Sequence, residues 1–195
     1  MKTVEITYYT IEELKEVSPT GYENAYKNYY NRECEYGYAW ADSAIDSVKK
    51  FLDLFDCELD DFVVGSVYRN DYRYTDNYIY MWNEDEQCED ALELDDIHGE
   101  KLKEYLQSEH GNTLKKWDEC PLTGYCLDFT LLEPLHEYMT GEKYQDYTLK
   151  DLIDLSMSNA LNDVDADYEY QLSYDAFEEN CDMNDYYFDI NGNLE

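Results

Sequence analysis

The excess of carboxylates is the feature that most limits how this backbone can fold. With 47 Asp and Glu against 14 Lys and Arg, a net charge of -33, most acidic side chains have no basic side chain to pair with. An unpaired carboxylate costs several kcal/mol to bury. Each element must therefore turn its acids to water, or to something basic, and close its other face over a core. Apolar material for that core is present: hydrophobic residues make up 44% of the 195-residue chain and aromatic ones 16%, more than charge-driven disorder carries. A chain of this length buries roughly two-thirds of its unfolded surface. The expectation is a single acidic domain of α+β class over residues 1–195, compact against its own repulsion.

Hydrophobic spacing lays out the elements. Lys2–Tyr9 alternates β-branched and aromatic residues and predicts a first strand. Thr10 with Glu13 forms a capping-box pattern, and Ser18-Pro19 is a second helix start; beyond it Tyr22, Ala25, Tyr26, Tyr29 and Tyr30 share one face. Ala41, Ala44, Ile45, Val48, Phe51, Leu52 and Phe55 recur at helical spacing after Trp40, which predicts a core-facing amphipathic helix. Phe62–Tyr68 and Tyr72–Trp82 read as a hairpin turning at Arg69-Asn70-Asp71. Because a lone hairpin is marginally stable, it is expected to join the N-terminal strand, with room for a short C-terminal Tyr186–Ile190 strand, in one small antiparallel sheet packed with several amphipathic helices.

Further helices are predicted over His98–Glu109, stopped by Gly111, and after Pro121 and Gly124 through Leu127, Leu131, Leu132, Leu135 and Met139. Another presents Leu149, Leu152, Ile153, Leu155, Ala160 and Leu161 and is expected to run on, at least in part, through the acidic Asn162–Tyr174 stretch. Asn83–Asp96 reads as an acidic connection with a little helix at best, and Asn191-Gly192-Asn193 as a turn. No repeat and no Gly/Ser linker marks a boundary.

Met1–Thr10 lacks the apolar run of a secretory signal, and no stretch is apolar enough to span a bilayer. This predicts a cytoplasmic protein in which Cys34, Cys57, Cys88, Cys120, Cys126 and Cys181 are reduced thiols. Asp163, Asp165 and Asp167 copy the first, third and fifth ligand positions of a calcium loop, but Tyr168 stands where the sixth requires glycine and Tyr174 where the twelfth requires glutamate. A solvated acidic face accounts for them better. Cys120 and Cys126, with His98, His110 and His136 elsewhere, lack the close paired spacings of a zinc site. No phosphate loop, nucleophile elbow or HExxH helix occurs, and acidic pairs fill nearly every window, so they carry no catalytic information. The chain is expected not to be an enzyme and to use no cofactor or metal.

A surface this acidic repels nucleic acid and anionic membranes and is drawn to cationic clefts. The compact chain, roughly 40 Å across, carries charge of the same order as the 25 or so phosphates on an equal length of duplex DNA. The candidate partner-binding residues are Asp60 and Asp61, then Glu84, Asp85, Glu86, Glu89, Asp90, Asp95 and Asp96, and then Asp163, Asp165, Asp167 and Glu169. They would stand in for a nucleic-acid backbone in the Lys/Arg channel of a basic nucleic-acid-binding protein. The 23 tyrosines, with runs at Tyr8-Tyr9, Tyr29-Tyr30 and Tyr186-Tyr187, add large rigid contacts suited to an interface, besides supplying core. Solubility or salt adaptation is the blander account of the same charge. An antitoxin or adaptor that neutralises a basic toxin is a competing function.

Tyr9-Thr10-Ile11-Glu12-Glu13-Leu14 with Ser18-Pro19, the Trp40 helix, Tyr168-Glu169-Tyr170, and the closing Tyr187-Phe188-Asp189-Ile190-Asn191-Gly192-Asn193 resemble a family of small phage- and prophage-encoded proteins. Members of that family open with a YTxEEL segment and end in a YxFxxxG strand and turn. The resemblance covers both ends of the chain and is loose in the middle. It implies genomic company with anti-restriction and anti-CRISPR functions, several of them acidic DNA mimics, and transfers no active residue. The functional expectation is a phage-encoded anti-defence inhibitor, foremost an anti-CRISPR protein that fills the nucleic-acid channel of a CRISPR effector nuclease in the infected host's cytoplasm. A restriction enzyme is the next target.

Overall fold

The structure, a computed structural model, describes residues 7–63, 71–83, 87–141 and 143–195. In chain order the elements are α1 (Ile11–Val17), α2 (Pro19–Tyr36), α3 (Ala41–Asp53), β1 (Glu58–Val63), β2 (Asp71–Thr75), β3 (Ile79–Asn83), β4 (Cys88–Leu92), α4 (Gly99–Glu109), the single turn α5 (Gly111–Leu114), α6 (Leu127–Thr140), α7 (Leu149–Gln171) and α8 (Tyr174–Met183). The class is α+β, as expected. Two compact units divide the chain: the described residues up to Ala39 with those from Ala166 onward form one, and the described residues between them form the other.

The expected single sheet is replaced by two separate antiparallel pairs, β1–β2 and β3–β4. The Tyr72–Trp82 segment is broken because its middle residues are drawn elsewhere: Asp76 accepts from Lys150 Nζ at 2.7 Å and Asn77 Nδ2 donates to the Asp56 carbonyl at 2.7 Å. β1 starts at Glu58, ahead of the expected Phe62, and the turn at Arg69-Asn70 lies outside the described residues. The acidic Asn83–Asp96 connection holds β4, in register with β3 from Ile79↔Leu92 to Asn83↔Cys88. A ladder partner overrides the poor strand propensity of Glu and Asp.

In the first unit, Thr10 and Glu13 cap α1 reciprocally, and Ser18 caps α2 with Pro19 at its first position. The N-terminal strand falls mostly outside the described residues. Tyr9 pairs with Phe188 through two 2.9 Å bonds, so among the described residues the N-terminal segment meets the C-terminal one rather than the hairpin. Ile11, Leu14, Tyr22, Ala25, Tyr29, Phe177, Cys181 and Phe188 form the core. α8 was not expected; its Phe177 and Cys181 make one apolar stripe among Asp175, Glu178, Glu179 and Asp182, which hide the periodicity. Gly21 and Gly192 approach each other closely: a Cβ on Gly192 would sit 2.0 Å from the Gly21 carbonyl oxygen, and one on Gly21 would sit 2.4 Å from that of Ile190.

The core of the second unit takes Ala44, Val48, Phe51 and Leu52 from α3, Leu102 and Leu106 from α4, Leu131, Leu132, Leu135 and Tyr138 from α6, and Leu149, Leu152, Ile153, Met157 and Ala160 from α7, all wholly buried. Asp128, in the first turn of α6, is also fully buried. It accepts the backbone N–H groups of Leu122, Thr123 and Gly124 at 2.9, 2.6 and 3.1 Å and the Thr123 hydroxyl at 3.0 Å. That ring of donors, with the helix N-terminus behind it, compensates its desolvation. Thr123 Oγ1 in turn lies 2.7 Å from Ser47 Oγ on α3, tying the loop to the core.

Two stability measurements check this account. Gly192→Ala combines a left-handed φ of 84° with the carbonyl clash, whereas Gly124→Ala has φ of 85° and open space around its Cβ. Thermal unfolding should show a loss of about 1–2 kcal/mol for Gly124→Ala and clearly more for Gly192→Ala. Asp128→Ala, which leaves three buried N–H groups without an acceptor, should cost about 2–4 kcal/mol in denaturant titration.

Candidate acidic interface

The β1–β2 pair fixes the best-defined acidic face. Leu59 and Phe62 both turn toward the core, opposite Tyr74 and Tyr72, yet two residues separate them where simple alternation allows one. The register shifts between Leu59 and Asp61, and this bulge absorbs the extra residue. Asp60 and Asp61 consequently both lie on the outer side, with Glu58 beyond them opposite Thr75. On the inner side the Tyr74 hydroxyl donates to Asp154 Oδ1 at 2.7 Å, and the Tyr72 hydroxyl lies 3.2 Å from the Asp154 carbonyl and 3.0 Å from Ser158 Oγ, anchoring the hairpin to α7. Burial, reinforced by the Asp154 carboxylate, pushes the Tyr74 phenol well above its ordinary range, so it stays a donor.

The outer carboxylates have light local compensation. Asp60 accepts from Thr75 Oγ1 at 2.8 Å, and Asp61 pairs with Arg73 at 3.3 Å in an exposed contact. Glu58, Asp60 and Asp61 span about 10 Å of strand, comparable with the spacing of three phosphates along one strand of a duplex.

The other expected residues are placed less coherently. Glu84, Asp85 and Glu86 lie outside the described residues. Glu89 is exposed, while Asp90, next along β4, points to the opposite face, is half-buried and lies 3.9 Å from Cys88 Sγ. Asp95 and Asp96 are exposed on a 3-10 turn whose Leu94 is buried. Asp95 lines a polar cleft of about 330 Å³ with Asp76, Glu93 and Lys150. The hydrogen bond from Lys150 holds the Asp76 carboxyl below the usual carboxylate range, and the same bond raises Lys150. On α7, Asp163 accepts from the Thr130 hydroxyl and Asp167 from the Tyr38 hydroxyl at 2.6 Å; Asp165 is half-buried and Glu169 exposed. Successive members of the series are two residues apart on a helix, so each points away from the one before. A helical backbone cannot wrap them around one cation, and among the described residues no three His, Cys, Asp or Glu side chains converge as metal ligands.

Many tyrosines are interior: Tyr22, Tyr29, Tyr38, Tyr105, Tyr138 and Tyr168 are buried, leaving Tyr36, Tyr78 and Tyr80 among the most exposed. Burial pushes the Cys57 thiol up to about 11 and the Cys181 thiol up to about 12, so both pack as small apolar groups. The three histidines do different things: His98 precedes α4, His136 stacks 4.6 Å from Trp117, and His110 is buried between Phe55 and Tyr105 with Nε2 3.2 Å from the Tyr105 hydroxyl. Sequence reasoning missed Glu58 and Asp154; the signal for both was the Leu59–Phe62 spacing, one residue too long for an unbroken strand.

Among the described residues no helix is long and apolar enough to cross a membrane. No family model, curated protein or solved structure matches the chain.

Burial lowers the pKa of His110 below its ordinary 6.5. The unfolded chain therefore binds a proton near pH 6.5 that the folded chain refuses, and His110 withdraws stability as pH falls from there toward its folded pKa. His110→Phe should flatten this slope: the stability difference between the two proteins, followed by denaturant unfolding from pH 8 to 5, should shift in the variant's favour on acidification.

Proposed function

We propose that this protein is an inhibitor that replaces a nucleic-acid backbone in the cationic channel of a nucleic-acid-handling enzyme of its bacterial host, foremost a CRISPR effector nuclease and next a restriction enzyme. The observation that supports this most directly is the bulged outer face of β1–β2, where Glu58, Asp60 and Asp61 stand side by side on a hairpin anchored through Tyr72 and Tyr74. A rigid anchor matters because carboxylates already held at phosphate-like spacing lose little entropy on meeting a row of Lys and Arg. The net charge of -33 adds long-range attraction that speeds encounter with a basic channel. Phosphate contacts dominate non-specific nucleic-acid affinity, so an occupant of comparable charge excludes the substrate without imitating any base. The resemblance of both chain ends to phage accessory proteins points to the same setting.

The test is DNA cleavage by purified CRISPR effector nucleases and restriction enzymes, with labelled DNA as competitor. Inhibition should weaken as DNA or salt is raised. The triple variant Glu58→Lys, Asp60→Lys, Asp61→Lys should lose at least about tenfold in potency, since each exposed pair contributes roughly 0.2–1 kcal/mol and reversal turns attraction into repulsion. Its unfolding temperature should not fall, because the outer face carries no core. Full potency in the triple variant, or inhibition indifferent to competing DNA, would overturn the proposal; the second result is what neutralisation of a basic toxin-like partner through an apolar interface would give.

A further inference from the structure

The first unit contains a cleft of about 160 Å³ that is separate in chemistry from the acidic face. The rings of Tyr29, Phe177 and Phe188 line it, together with Asn28, Asn180 and Arg32, and its lining includes no Asp or Glu. On a chain of net charge -33, such a lining spares an anion the close repulsion it meets elsewhere. Its size is close to that of the roughly 150 Å³ apolar cavity that accepts benzene in another protein, so one aromatic ring fits.

Arg32 is held in place for a ligand. Its Nε and Nη2 both donate to Glu33 Oε1 at 3.1 Å, and the other oxygen of Glu33 accepts Gln171 Nε2 at 2.9 Å, which fixes that carboxylate. The guanidinium carbon lies 5.4 Å from the centre of the Tyr29 ring. Two of the five N–H donors are thus used for positioning. A guanidinium fixed in this way loses little freedom on taking up a carboxylate.

We infer that this cleft binds a small aromatic carboxylate, its ring among Tyr29, Phe177 and Phe188 and its carboxylate on Arg32, with the Asn28 and Asn180 side-chain amides as further donors. A fourth wall is Leu194, on the C-terminal turn that Asp189 closes by accepting from Asn191 N, Asn193 N and Asn193 Nδ2. Occupancy therefore tightens the C-terminal turn against α2 and raises the unfolding temperature.

The probe is phenylacetate, titrated into the full chain at about 0.15 M salt, where charges beyond roughly 8 Å are screened, with amide chemical shifts as readout. Phenylacetamide and phenethylamine are the neutral and cationic comparators. Shifts confined to residues 25–32, 177–181 and 186–194 with a Kd of about 1 mM, the affinity a ten-atom ligand commands, are expected, in the order phenylacetate, phenylacetamide, phenethylamine. Arg32→Gln should weaken phenylacetate about tenfold and leave phenylacetamide unchanged, while Arg32→Lys should recover part of the loss. Since the Arg32 side chain is 40% exposed, neither variant threatens the fold. No shift in these residues at about 20 mM phenylacetate, equal affinity for phenethylamine, or full phenylacetate affinity in Arg32→Gln would overturn the inference.

Discussion

Tyrosine hydroxyls do in this molecule what lysines and arginines do in a charge-balanced one. Carboxylates that lie partly within the fold are met by phenols: Glu178 by Tyr22 at 2.6 Å, Asp167 by Tyr38 at 2.6 Å, Asp154 by Tyr74 at 2.7 Å and Glu23 by Tyr174 at 2.9 Å. These are charge-assisted hydrogen bonds, shorter and stronger than neutral ones. The ring beside each hydroxyl supplies apolar area to the core. With 14 cations for 47 acids, a neutral donor on an apolar body lets helices and strands carry acids close to the core without stranding them. The ion pairs that occur, such as Lys15–Glu178 and Lys150–Asp76, reinforce the same junctions.

This accounts for the unusual tyrosine content more directly than an interface does. Tyr22, Tyr26 and Tyr29 surround Phe177 at ring separations of 5.3 to 5.9 Å, and Tyr26 stacks on Tyr174 at 3.6 Å. On a helix face the sequence Tyr22, Ala25, Tyr26, Tyr29 reads correctly as a single stripe. What the stripe faces is α8, whose own apolar residues are spaced among so many acids that no periodicity stands out.

The helices with dense apolar repeats were readable from sequence. α3, α4, α6 and α7 lie where their leucines, valines and phenylalanines place them, and both helix starts at Thr10 and Ser18 use the caps their residues announce. The strands were not, because strand identity depends on a partner. β4 is Cys-Glu-Asp-Ala-Leu, five residues with little strand preference, and it exists because β3 lies beside it. The candidate acids divide along the same line. Asp60 and Asp61 share a face only through a bulge, Glu89 and Asp90 are parted by ordinary alternation, and the Asp163–Asp167 series is dispersed by helical geometry. Charge counts come from composition, but a contiguous anionic surface comes from backbone irregularity.

The pairing of Tyr9 with Phe188 bears on the order of assembly during synthesis. The second unit is drawn from one uninterrupted middle portion of the chain, while the first needs residues on both sides of it. On a ribosome, α1 and α2 emerge early with their tyrosine stripe uncovered and wait for α8 and the closing turn before they have a core to join. Loop closure across the whole middle portion is far less costly once that portion has folded and shortened the path. The acidic side chains around the waiting stripe then have a kinetic use: they keep nascent copies apart until the last residues of the chain arrive.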